Sequence, residues 1–78
     1  MTTKCFVYRL KYDYGGGLIF IPCGDLSFEE SKKCIVRDRV DDWVYLGAFD
    51  FEFRFLETLE REIRDDIVCF TAYGWGYD

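Results

Sequence analysis

Apolar and polar positions alternate with period two across residues 4–14, KCFVYRLKYDY. Phe6, Tyr8, Leu10, Tyr12 and Tyr14 fall on one side and Val7, Arg9, Lys11 and Asp13 on the other, the pattern of a half-buried strand. Gly15, Gly16 and Gly17 follow, and are expected to supply the positive backbone angles of a tight reversal. Residues 18–23, LIFIPC, form a short apolar run, read as a second strand that completes a hairpin. Pro22 cannot donate a ladder hydrogen bond and belongs at the strand end or on an edge. The glycine triplet could also cradle a phosphate, but no Lys-Ser/Thr pair and no helix start follow it, so the turn reading is preferred.

The period then changes. Ser27 and Glu30 match a capping box, with the serine at the N-cap, and predict a helix to about Arg37 showing Phe28, Ile35 and Val36 to the core. Cys34 lies off the centre of that stripe. After the charged connector of residues 37–42, RDRVDD, the run WVYLGAF at residues 43–49 is apolar on both faces, which predicts a central strand. Over residues 50–67, Phe51, Phe55, Leu56, Leu59, Ile63 and Ile67 recur at gaps of three and four. Arg54, Glu57, Arg61 and Arg64 fall opposite them, Glu57 and Glu60 stand four before Arg61 and Arg64, and Asp50 suits an N-cap. Phe49, Phe51, Phe53 and Phe55 also alternate with charged residues as a strand would, but the longer stripe favours a helix from about Phe51. Residues 67–77 begin as a strand, with Val68 and Phe70 on one face and Cys69, Thr71, Tyr73, Trp75 and Tyr77 on the other. The expected fold is therefore α+β and two-layered: a four-stranded, largely antiparallel sheet with two helices, in the order ββαβαβ. Residues 1–78 form one domain.

Composition narrows the chemistry. Ten basic residues against fifteen acidic ones leave a net charge of −5, which argues against a binder of the nucleic-acid backbone. Eight Phe, six Tyr and two Trp supply a dense core for a small domain and leave aromatic surface to spare. Histidine is absent, so the commonest general base is missing. Cys5, Cys23, Cys34 and Cys69 include no C-x-x-C pair, and the start MTTKCFVYRL lacks an apolar signal core. Reduced thiols acting as small hydrophobes in a cytoplasmic protein are expected, without metal or cofactor and without a membrane span.

Two features stand out as binding elements. The carboxylates of Asp38, Asp41 and Asp42 lie in the charged connector; as a solvated loop they need no partner, and as an acidic patch they would steer a basic protein. At the C-terminus, Tyr73, Trp75 and Tyr77 alternate with glycines. These rings could close the core, anchor a protein interface, or stack on bases.

A small, acidic, aromatic-rich chain without histidine or paired cysteines resembles phage-encoded inhibitors of the anti-CRISPR type. That resemblance implies a stoichiometric protein partner, often one with a basic nucleic-acid channel. The expected function is a non-enzymatic, protein-binding inhibitor that occupies a surface of a nucleic-acid-handling host complex. Its partner-binding residues would be Asp38, Asp41, Asp42, Tyr73, Trp75 and Tyr77, with no direct nucleic-acid contact. The alternative is a structural or regulatory module that forms a homo-oligomer through its aromatic sheet edge; the chain is expected as monomer or homodimer.

Overall fold

The computed structural model describes residues 1–12, 15–36 and 42–75. Within them the chain runs β1 (Thr2–Tyr12), β2 (Gly15–Pro22), α1 (Phe28–Val36), β3 (Asp42–Glu52), α2 (Phe53–Leu56), β4 (Glu60–Arg64) and β5 (Ile67–Trp75). The strands make one antiparallel sheet in the order β3-β1-β2-β5-β4. The expected four-stranded ββαβαβ order is thus replaced by a five-stranded sheet, in a chain that is mostly strand.

The correction lies in residues 50–67. Strand β3 continues through Phe51 to Glu52, and the helix shrinks to four residues. Its turn is closed by Glu57 N–H donating to the Phe53 carbonyl at 3.0 Å and Thr58 N–H to the Phe55 carbonyl at 3.0 Å. Residues 60–64, EREIR, then pair with β5, Arg64 opposite Ile67 and Glu60 opposite Thr71. Asp65 and Asp66 make the reversal, both with positive φ (53° and 65°), the left-handed pair that a two-residue hairpin turn requires. The physical reason is that Phe51, Leu56 and Leu59 reach the core from a strand and a turn as well as from a helix. The charged segment after them has few apolar residues to bury, whereas pairing with β5 satisfies its backbone. Ile63, assigned to the apolar stripe, is 65% exposed.

Both faces of the sheet are covered. On one, Ile35 and Cys34 of α1 pack on Tyr8, Leu10, Ile19, Ile21 and Cys69. On the other, Leu56 packs on Cys5, Val7, Phe20 and Phe70. The helices therefore lie on opposite faces rather than in one layer, and β1 is buried on both sides where it was expected to be half-buried. Helix α1 starts at its reciprocal cap, with Ser27 N–H donating to Glu30 Oε1 at 3.1 Å and Glu30 N–H to Ser27 Oγ at 3.2 Å. Those bonds hold the Glu30 carboxyl below its usual range. Its inner face is Ser31, Cys34 and Ile35; Val36, expected in the core, is exposed.

The glycine triplet is not the turn. Gly15 pairs with Tyr12 and opens β2, and residues 13–14 lie outside the described residues. A Cβ at Gly17 would run into the Ala72 carbonyl oxygen, and one at Gly16 into the Leu10 carbonyl oxygen. These glycines serve close approach of neighbouring strands. Strand β3 lies at the edge of the sheet rather than in its centre.

Candidate interaction surface

The sheet ends in two unlike edges. Strand β4 is five residues long, EREIR, with charges that discourage further pairing. Strand β3 is eleven residues long and presents Val44, Leu46 and Phe49 at 51%, 45% and 49% exposure. A long apolar edge strand is a template for pairing with another chain.

The path of β3 follows from local chemistry. Its register with β1 shifts between Tyr45, opposite Tyr8, and Gly47, opposite Val7, so Leu46 is the extra residue of a bulge. Gly47 holds φ at 128°, which an L side chain rarely adopts, and the Phe49 ring lies where its Cβ would be. The ring thus covers the backbone at the bulge. On the α1 face, Tyr45 stands 4.7 Å from the Phe28 ring and 5.1 Å from the Tyr8 ring, centroid to centroid. Trp43 meets Tyr8 edge-on at 5.8 Å, and Lys32 Nζ lies 5.9 Å from the Trp43 ring. Phe28 and Tyr45 remain partly exposed, so an aromatic ledge borders the edge. On the opposite face Phe51 stacks on Phe55 at 5.8 Å, and Phe53 and Phe55 are exposed beside a shallow open depression at the end of β3.

Ladder hydrogen bonds set which backbone groups of β3 are open. Phe53 N–H donates to the Met1 carbonyl at 3.1 Å, and Cys23 N–H donates to the Lys4 carbonyl at 2.8 Å. Odd-numbered residues of β1 therefore face β3, and even-numbered ones face β2. Through the register, Phe49 and Phe51 turn their backbone groups inward to β1, while Tyr45, Ala48, Asp50 and Glu52 turn theirs to the edge. Trp43 N–H, also outward, is taken by Asp42 Oδ1 at 2.8 Å.

Of the residues expected to bind a partner, Asp38, Asp41 and Tyr77 lie outside the described residues. Asp42 is exposed at the start of β3. Tyr73 lies on β5, where its hydroxyl accepts from Arg64 Nη2 at 2.8 Å and donates to Glu62 Oε1 at 3.3 Å. Arg64 also reaches the Cys34 carbonyl at 3.4 Å, capping the C-terminal turn of α1. The Tyr73 hydroxyl thus belongs to a network joining β4, β5 and α1. Trp75 pairs with Gly15, where, among the described residues, β5 has only β2 beside it. Asp42, Lys11, Gly16 and Gly74 occupy one row of the sheet, so Asp42 and the β5 aromatics share an end of it. Three strand spacings, about 14 Å, separate them. They form no single cluster. Val44, Tyr45, Leu46 and Phe49 were missed because an apolar run carries no sign of whether one or two strands flank it.

The thiols offer little chemistry. All four are free. Burial, with neighbouring charge, pushes Cys5 up to about 11 and Cys69 up to about 12, and burial also raises Cys23 and Cys34. Each stays protonated at neutral pH and is a poor nucleophile. Among the described residues no helix is long and apolar enough to cross a membrane. Comparison with protein-family models, curated proteins and solved structures found no match.

Proposed function

We propose that this chain is a non-enzymatic protein-binding inhibitor, working in the cytoplasm by covering a surface of a nucleic-acid-handling host complex, in the manner of anti-CRISPR proteins. The observation that carries the binding reading is the β3 edge: an eleven-residue strand with the outward backbone groups of Tyr45, Ala48, Asp50 and Glu52 and exposed Val44, Leu46 and Phe49. An edge of this kind gives main-chain affinity and side-chain contacts at once. Acidic net charge favours encounter with a basic protein. High thiol pKa values and the lack of histidine support binding rather than turnover. The binding surface of this reading is β3 with its aromatic ledge.

The test is titration of the purified protein into target-DNA cleavage by a panel of RNA-guided nuclease complexes. For the complex it targets, inhibition should saturate near one inhibitor per complex. Val44→Glu with Leu46→Glu should abolish it, while Ile63→Glu on the opposite edge should leave it intact. Progressive inactivation at far substoichiometric ratios would mean catalysis, and no effect on any complex would sink the inhibitor reading.

A further inference from the structure

We infer that the occupant of the β3 edge is an extended segment of a partner protein, apolar in its centre and basic at both ends, added to the sheet as a sixth strand. The inference rests on the binding role of β3 and names the chemistry of what it binds. Every charged residue within β3 is acidic: Asp42 at one end, Asp50 and Glu52 at the other, all exposed. Between them lie Val44, Tyr45, Leu46 and Phe49, all exposed to solvent. Glu52 Oε2 lies 3.7 Å from the Met1 ammonium, and Lys4 and Lys11 stand across from Asp50 and Asp42 on β1; all three carboxylates nonetheless stay exposed, open to a further cation from a strand added on the other side.

That pattern selects against a second copy. Antiparallel pairing of β3 with itself about a two-fold axis sets the beginning of each strand beside the end of the other. Both are acidic, and like charges placed across strands oppose pairing. Each copy also brings a net charge of −5. A foreign strand with lysine or arginine at both ends turns the same positions into attractive pairs. The outward groups of Tyr45, Ala48, Asp50 and Glu52 supply its ladder partners.

The probes are three acetylated, amidated peptides: KKVTVTVKK, its counterpart EEVTVTVEE, and the basic peptide N-methylated at alternate residues. They are titrated into the uniformly 15N-labelled chain and followed by amide chemical shifts, with sedimentation of the chain alone. The basic peptide should perturb residues 45–52 and leave residues 60–64 unmoved. It should bind about tenfold more tightly than the acidic one at low salt, an advantage that shrinks at high salt. N-methylation should weaken it severely, and Asp42→Lys with Asp50→Lys should reverse the preference between peptides. Equal binding of both peptides at β3 would overturn the charge requirement and leave the edge as an interface. A dimeric chain with protected β3 amides and no peptide binding would make the occupant a second copy. A monomer whose β3 binds neither peptide would overturn both this inference and the edge reading beneath it.

Discussion

Replacing Ser31 with alanine tests how α1 is fastened to the sheet. Tyr8 is fully buried, and its hydroxyl lies 2.7 Å from Ser31 Oγ. Ser31 Oγ spends its single proton on the Phe28 carbonyl at 2.7 Å, so Tyr8 is the donor between the two hydroxyls. In Ser31→Ala the tyrosine hydroxyl keeps its buried place and loses its acceptor, a loss of about 1–3 kcal/mol. Tyr8→Phe removes the donor while Ser31 retains its bond to Phe28, so the loss should be smaller, about 0.5–1.5 kcal/mol. The double variant leaves no hydroxyl stranded and should resemble Tyr8→Phe alone. The coupling between the two sites then equals the Ser31→Ala loss, about 1–3 kcal/mol. In a chain this short a 2 kcal/mol loss lowers Tm by about 8–16 °C. Urea melts of the wild type, both single variants and the double, followed by circular dichroism, measure the cycle. If the single losses add to within about 0.5 kcal/mol, the hydroxyls do not touch and α1 is not docked as described.

Two further outcomes follow from the core and the thiols. Leu56, fully buried against Cys5, Val7, Phe20 and Phe70, should cost about 2–5 kcal/mol on truncation to alanine, whereas half-buried Leu59 should cost distinctly less in the same melts; the reverse order would restore the long helix. The folded pKa values of Cys5 and Cys69, about 11 and about 12, lie above an unfolded thiol near ~8.5, so the unfolded chain releases its protons first. Their contribution to stability is fully present below about pH 8.5 and is lost as pH rises toward the folded values. Melts at pH 8 to 10 should show that fall in the wild type and a shallower one in Cys5→Ala with Cys69→Ala.

Some of this molecule is written in near-neighbour chemistry. The capping box of Ser27 and Glu30 needs only four consecutive residues, and its two hydrogen bonds form as the spacing requires. Alternation along β1 and β5 likewise survives folding, with Tyr8 and Leu10 on the α1 face and Val68 and Phe70 on the other. The stripe over residues 50–67 was ambiguous because Phe51, Leu56 and Leu59 suit a helix, and equally a strand followed by a turn. The choice fell to a non-local partner: β5 offers EREIR a backbone ladder, and Asp65 and Asp66 accept the left-handed turn that joins them. For the proposed binding surface the dependence on tertiary structure is complete. WVYLGAF has the same apolar content at the centre of a sheet or at its margin, and only the order β3-β1-β2-β5-β4 leaves one side of it unpaired. That order is set by which strands find one another across the chain, where side-chain periodicity carries no information about distance.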